Sequence, residues 1–262
     1  MKNVVTGMLL VSGVALAGES ELINPGVTTL RDLAADRPDA TESPITVDKG
    51  HWQVETSVVD YAKDYGFEAW TWGETNLKYG ISDNADIQFV FAPYAEERVR
   101  EGGVTETADG ASDLTIRLKY NLWGNDGGKT AFALFPYIKV PTGTDLSNDK
   151  WEGGLILPYA YEVNDRLGVG AQLEFGYNWD DEDEDYDVEL SHTFVVGYSL
   201  TDKWGVYGEY LGVAGDHSYE AYASGGITYA VTEFFQLDAG AVLGLNDAAQ
   251  DFNVFSGFTV KF

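Results

Sequence analysis

Residues 112–123, SDLTIRLKYNLW, alternate strictly between polar and apolar side chains. A period of two is typical of a β-strand with one apolar and one polar face. The apolar face carries Leu114, Ile116, Leu118, Tyr120 and Leu122. Similar stretches predict twelve strands, which begin near residues 51, 69, 86, 113, 130, 152, 167, 187, 204, 220, 234 and 252.

The connections between these predicted strands fall into two classes. Tight turns such as SDNA (82–85), NDR (164–166) and TDK (201–203) follow even-numbered strands. Longer polar loops, clearest at 99–111, 142–151 and 179–186, follow odd-numbered strands. Short turns at one end and long loops at the other are typical of outer-membrane barrels. The sequence therefore predicts an all-β fold, a transmembrane antiparallel up-and-down β-barrel of about 12 strands, with both termini on the periplasmic side.

Aromatic residues recur on the apolar face, close to the short turns. A tyrosine or tryptophan ring there can rest in lipid while its polar atom reaches water. The sequence predicts an aromatic girdle at the membrane interface, made of Tyr79, Tyr120, Tyr161, Tyr198, Tyr229, Trp204 and Phe262.

The last predicted strand, FNVFSGFTVKF, ends the chain on Phe262. A terminal aromatic strand resembles the signal by which the barrel assembly machinery recognises outer-membrane barrels. Membrane lipids and lipopolysaccharide are the other expected partners. A soluble sandwich or lipocalin-like barrel would also alternate, but it would turn its apolar face inward.

The N-terminal part of the chain differs from the rest. Residues 1–17 combine a charged start, an apolar stretch and a small-x-small site, which predicts a secretory signal peptide. Residues 18–50 contain three prolines and alternate little. They are expected to form an irregular periplasmic segment, a plug inside the lumen or a disordered leader. Residues 51–262 form the predicted barrel, a single domain.

Composition excludes some function classes. The chain has 16 basic and 43 acidic residues, which argues against nucleic acid as a partner. It has no cysteine, so neither disulfides nor thiolate metal sites are available.

Two motifs resemble those of a known family. The segment DRPDATESP, Asp36 to Pro44, precedes the first predicted strand, and Tyr79-Gly80-Ile81-Ser82-Asp83 and Tyr198-Ser199-Leu200-Thr201-Asp202 share a turn pattern. Both resemble the outer-membrane family named for a MetA pathway of phenol degradation, over roughly residues 36 to 262. The resemblance implies a barrel and the passage of small molecules, aromatic ones among them, but it fixes no solute.

Alternation also assigns side chains to the lumen. The expected pore-lining basic residues are Lys78, Arg98, Arg117, Lys119 and Lys139. The expected acidic ones are Glu174, Glu189, Glu209, Glu220 and Asp238. A mixed wall would therefore face an acidic wall, with acids in excess.

The export signal, the strand and loop pattern and the lumen charges together predict a monomeric outer-membrane channel of a Gram-negative bacterium. Small solutes, aromatic or amphipathic ones among them, would pass by passive or facilitated diffusion through the net-acidic lumen. The alternative is a plugged structural or surface-interaction barrel without transport.

No catalytic residue is predicted. Ser191 and His192 are neighbours on one strand and point to opposite faces, so they cannot form a nucleophile–base pair. Asp181, Asp183 and Asp185 resemble calcium-loop spacing but lack the glycine and the final glutamate of such loops. We expect a solvated outer loop there, with no metal site, and we expect no cofactor.

Overall fold

A computed structural model describes residues 30–181 and 183–262. The expected signal peptide, residues 1–17, lies outside the described residues, as do residues 18–29. Among the described residues, none belongs to a helix with the length and apolar character needed to span a bilayer. The strands are β1 (Trp52–Asp64), β2 (Phe67–Ser82), β3 (Ala85–Phe91), β4 (Tyr94–Glu101), β5 (Val104–Gly110), β6 (Leu114–Trp123), β7 (Thr130–Val140), β8 (Glu152–Asn164), β9 (Leu167–Asp180), β10 (Asp185–Ser199), β11 (Trp204–Ala214), β12 (Tyr219–Thr232), β13 (Phe235–Gly244) and β14 (Phe252–Lys261).

Twelve of these strands close into a ring. β1 pairs with both β2 and β14, and the ring continues from β2 through β3 and then β6 to β13, each pair antiparallel. The predicted all-β up-and-down barrel of about 12 strands is confirmed. Each predicted start lies within about two residues of the start of a ring strand, because the alternation that predicts a strand is also what a two-faced barrel wall requires.

The loops differ more from the prediction. The expected loop 99–111 is largely a hairpin, β4 and β5, whose first strand pairs with the upper half of β2. The hairpin continues β3 and β6 towards the loop end. A break at residues 92–93 and 111–113 separates it from these two strands, because Pro93 lacks the N–H group that a β-ladder needs. The expected loop 179–186 is also shorter than predicted, because β9 extends to Asp180 and β10 begins at Asp185.

A change of face within β2 corrects one predicted lumen residue. Gly73 has a φ of +70°, a conformation that glycine adopts readily, and the alternation of β2 changes phase there. Trp72 therefore lies outside and packs on Tyr94 with ring centroids 5.5 Å apart. Arg98 follows Tyr94 on this outer face, and its half-exposed guanidinium lies 2.5 Å from Glu96. The expectation that Arg98 lines the lumen is wrong.

The barrel has a polar interior and an apolar exterior. Gln53, Gln88 and Thr259 are buried inside, whereas Phe194 and Leu237 are exposed on the outer face. A soluble barrel would show the reverse, because water would then surround the outer face. In lipid, an apolar outer face and a closed hydrogen-bonded ring are both favoured.

Residues 30–48, here called the luminal segment, run inside the ring without a regular strand. They leave the lumen at the short-turn end, where Lys49 forms a parallel bridge with Gly80. The backbone N–H of Gly50 donates to the carbonyl oxygen of Gly80 over 2.8 Å. A Cβ atom at Gly80 would overlap the carbonyl oxygen of Asp48, so only glycine permits this approach.

We expect Gly80→Ala to lower the free energy of unfolding by about 1–3 kcal/mol, the usual cost of forcing extra atoms into a packed site. The measurement is the urea midpoint of the barrel folded in lipid vesicles. Gly208→Ala is the matched control, because a Cβ atom there meets nothing within 4 Å. Equal midpoints for the two variants would contradict the packing described for Gly80.

Candidate functional site

Basic side chains line one side of the lumen. Lys78 on β2, Arg117 and Lys119 on β6, and Lys261 on β14 all point inward, because alternation puts them on the face opposite the apolar residues. Each is almost fully buried. A buried ammonium or guanidinium group needs a partner, since removing it from water costs several kcal/mol, by a rough general estimate. The luminal segment supplies much of that partnership.

Asp36 lies at the centre of the network. Its Oδ1 accepts from the Nζ of Lys119 over 2.6 Å, and its Oδ2 pairs with the Nζ of Lys78. Lys78 also pairs with Glu55 on β1. The backbone N–H groups of Asp36 and Arg37 donate to the Glu55 carboxylate over 3.0 and 3.1 Å. Two lysines and two carboxylates are thus mutually neutralised, and the chain is anchored at this point.

Arg37 makes a second anchor, to β1 and β13, the two strands that flank β14. Its Nη2 lies 2.7 Å from Oδ1 of Asp238 on β13, and its Nη1 donates to the hydroxyl of Ser57 over 3.0 Å. The guanidinium also lies over the ring of Phe255, 5.7 Å from its centroid. Asp238, expected to line the lumen, is therefore paired rather than free.

The next residues of the luminal segment make a third anchor. Arg117 donates to Oε1 of Glu42 over 2.8 Å. The backbone N–H of Glu42 donates to Gln172 on β9 over 2.7 Å. The hydroxyl of Thr41 donates to Glu209 on β11 over 2.7 Å. These contacts reach several strands around the ring, so the segment crosses the lumen.

The two acids of the segment differ in their electrostatic surroundings. Burial alone would raise the pKa of Asp36, but the ammonium groups of Lys119 and Lys78 outweigh it and hold that pKa below its ordinary value. Burial, together with the nearby charge of Asp36, raises the pKa of Glu42 to about 7, against the opposing effect of Arg117. Asp36 is thus the firmly ionised anchor.

The loop-end half of the lumen is acidic. Lys139 is paired there, 2.7 Å from Glu152 and 3.3 Å from Asp113. Glu174 accepts from the hydroxyl of Tyr137 over 2.7 Å, and Glu220 accepts from the hydroxyl of Tyr222. In the part of the chain that the structure describes, no lysine or arginine nitrogen lies within 4.0 Å of a carboxylate oxygen of Glu174, Glu189 or Glu220.

The residues of the predicted girdle lie where strands meet the short turns. Tyr79 packs on Trp52 with centroids 4.6 Å apart, and Tyr229 packs on Trp204 at 4.5 Å. Phe262 is exposed at the end of the chain, and its backbone pairs with that of Trp52. The remaining members, Tyr120, Tyr161 and Tyr198, are also exposed on the outer face.

One cluster at the loop end was not predicted from the sequence. The side chain of His217 lies 3.1 Å from Asp183 and 3.6 Å from Asp180. Potential ligand atoms of Asp180, Asp187 and His217 lie within 4.8 Å of one another. His217 and Asp183 are far apart in the sequence, and their approach depends on the pairing of β10 with β11. His192, on the outer face, lies 3.3 Å from the Tyr219 hydroxyl.

The sequence matches the family model described as "Putative MetA-pathway of phenol degradation" over residues 35–262. The chain belongs to this family. The match covers the anchors of the luminal segment as well as the whole barrel. No protein of curated function matches the sequence at a significant level.

Solved structures share the fold at low identity. An outer membrane channel from Pseudomonas putida F1 is 16% identical with a TM-score of 0.59, covering 87% of this chain and 99% of its own. The KdgM porin in complex with disordered oligogalacturonate is 8% identical with a TM-score of 0.54, covering 80% and 99%. The NanC porin is 9% identical with a TM-score of 0.53, covering 80% and 98%. With its apolar exterior, this fold places the protein in the cell outer membrane.

We expect Asp36→Asn to release the luminal segment, because it leaves Lys119 and Lys78 buried with one carboxylate fewer. Breaking a buried ion pair costs about 3–5 kcal/mol. The measurement is the rate at which trypsin cleaves after Arg31 in the folded barrel, which should rise.

Asp126→Asn is the matched control for this variant. Asp126 pairs with Arg31 over 2.8 Å, but its side chain is 78% exposed, and exposed pairs contribute little. Equal cleavage rates for the two variants would show that Asp36 does not hold the segment.

Proposed function

We propose that the protein is an outer-membrane channel through which small solutes diffuse, with a preference for cations. The observation that carries the proposal is the unequal distribution of charge along the lumen. Acids of the luminal segment pair with the basic wall near the short-turn end. Towards the loop end, no lysine or arginine nitrogen of the described residues lies within 4.0 Å of the carboxylates of Glu174, Glu189 or Glu220.

An unpaired acidic wall attracts cations. Carboxylates in a narrow tube with low-dielectric walls focus their field into the lumen and raise the local cation concentration. A structural core would be expected to pair these acids instead, because unpaired buried charges are costly. The excess of acids therefore supports a hydrated passage at the loop end.

The luminal segment sets the size of the solute in this proposal. Twelve strands enclose more space than the eight that close on side chains and less than the sixteen of wide porins. Asp36, Arg37 and Glu42 hold the segment across that space. Only small molecules would pass beside it. The channels and porins of similar fold support the proposal, although their solutes are their own.

The outer surface completes the proposal. The aromatic rings near the short turns would form the girdle at the periplasmic interface, with lipids and lipopolysaccharide as neighbours. We also propose that the protein assembles through its C-terminal strand, which ends at Phe262, and that it acts as a monomer. It includes no catalytic step, because Ser191 and His192 lie on opposite faces of β10.

One observation favours the second candidate, a plugged structural barrel. The luminal segment is held by several buried ion pairs, and a segment held so firmly can also close the lumen. In that case the acidic turns at the loop end would carry the function, as a surface that interacts with partners outside the cell. The two candidates differ in whether the folded protein conducts ions.

We expect single channels in a planar lipid bilayer, with a reversal potential that shows cation preference under a salt gradient. The double variant Glu174→Gln/Glu189→Gln should move the cation-to-anion permeability ratio towards one, because it removes unpaired acids from the wall. Glu101→Gln, at the exposed tip of the β4–β5 hairpin, should leave the ratio unchanged.

A silent bilayer from folded protein, shown by heat-modifiable mobility on a gel, would reject the channel in favour of the plugged barrel. Conduction with the same permeability ratio in the double variant would show that the acidic wall does not select the ion.

A further inference from the structure

Two strands and a turn bring an imidazole and two carboxylates together at the loop end. Asp180 is the last residue of β9, and Asp187 lies near the start of β10. His217 lies in the turn between β11 and β12. Potential ligand atoms of these three residues lie within 4.8 Å of one another. The cluster therefore has the spacing and the mixed ligand types from which metal sites are built.

Strand pairing explains why these side chains meet. Asp180 is a diagonal neighbour of Asp187 in the ladder of β9 and β10, a separation that side chains can bridge. Both belong to the inner face, because alternation puts them in phase with Glu174 on β9 and Glu189 on β10. β11 pairs with β10 on its other edge, which brings the turn that carries His217 beside them.

Asp187 supplies a second, independent observation. Its Oδ2 has less than 1 Å² of exposed surface and, among the described residues, no hydrogen-bond partner. In the same part of the chain, no lysine or arginine forms an ion pair with it. Asp216, Asp180 and Asp183 are close enough to repel its charge. A shielded carboxylate oxygen among other acids is costly unless a cation offsets its charge.

We propose that Asp180, Asp187 and His217 form a binding site for a divalent transition-metal ion of the zinc type. Each residue supplies one ligand atom, and water completes the coordination, as in zinc sites that keep an open position. Oδ2 of Asp183 lies 3.1 Å from Nε2 of His217, so it can bind the same ion from the loop.

The ligand types favour zinc over calcium. Calcium takes about six to eight oxygen ligands, whereas an imidazole nitrogen suits zinc, copper and nickel. The aspartates with calcium-loop spacing do not form the set described here. Asp181, the first of them, accepts instead from the indole N–H of Trp179 over 2.8 Å. Trp179 and Asp180 are adjacent on β9, so their side chains point to opposite faces.

The site goes beyond the proposed channel and does not depend on it. A bound ion joins the ends of β9 and β10 to the turn between β11 and β12. Asp187 precedes Glu189 by two residues on the inner face of β10, so the ion lies at the outer limit of the acidic wall.

The test is isothermal titration of the detergent-folded full chain, without a histidine tag, with zinc chloride and with calcium chloride. We expect one zinc ion per chain, bound at least about tenfold more tightly than calcium, because only zinc gains from the imidazole. Equal affinities for the two ions would overturn the site and leave an acidic surface that attracts any divalent cation.

Ligand variants locate the binding. His217→Gln and Asp187→Asn each remove one ligand, from two different elements, so one remains informative if the other fails to fold. Each should weaken zinc binding at least about tenfold, because losing even a residue that supports a ligand costs about 10–100-fold in affinity. Unchanged zinc affinity in both folded variants would overturn the site.

Two control variants remove the same chemical groups elsewhere. His51→Gln changes a histidine that precedes β1 near the short turns, and Asp181→Asn changes an exposed aspartate of the same acidic loop. Both should bind zinc as the unmodified chain does. An equal loss in Asp181→Asn and Asp187→Asn would overturn the assigned ligands, because the charge of the loop would then be enough to hold the ion.

Failure of the site and failure of the channel give different results. Conducting protein that does not bind zinc would reject the site and leave the channel standing. Silent protein that binds zinc, and loses it in His217→Gln, would keep the site and reject the channel.

Discussion

The pairing of Asp36 with Lys78 and Lys119 is the interaction on which the interior of this barrel depends. The wall lysines are almost fully buried in a closed tube, where an unpaired ammonium would be costly. The carboxylate of Asp36, in the luminal segment, pairs with both lysines, and Glu55 on β1 pairs with Lys78. The path of the luminal segment, the width that it leaves and the balance of charge along the lumen all follow from this pairing.

The two halves of the lumen differ in how their charges are paired. Near the short turns, the segment and the wall neutralise each other through Asp36, Arg37 and Glu42. Towards the loops, the wall keeps acids such as Glu189 that no lysine or arginine approaches within the described residues. The protein thus combines a tightly paired constriction with a negatively charged approach.

Alternation was enough to predict the ring of strands, because each strand of a membrane barrel must be polar inside and apolar outside. It failed where local backbone geometry changes the phase. Gly73 reverses the faces of β2, so Arg98 lies outside, and the polar stretch at 99–111 pairs as a hairpin above the ring. Residues this far from the apolar band need not alternate by polarity, so their strands carry little signal.

The contents of the lumen were harder to predict than its wall. Alternation points Lys78, Arg117 and Lys119 inward, and the structure puts them there. Their partners come from a proline-containing segment without periodicity. Arg37 and Asp238 are far apart in the chain, and nothing in the sequence links them. The acids and the arginine in DRPDATESP are consistent with a plug, because a segment that fills a lumen with a basic wall needs such charges. A disordered leader has a similar composition, so the sequence does not separate the two.

The most direct test of the account compares single-channel conductance of the full chain with that of the triple variant Asp36→Asn/Arg37→Gln/Glu42→Gln. Both proteins must first be shown to be folded by heat-modifiable mobility. The account predicts a severalfold larger conductance for the variant, because the segment loses the charges that hold it across the lumen. The same conductance in both proteins would contradict the claim that these ion pairs set the width of the channel.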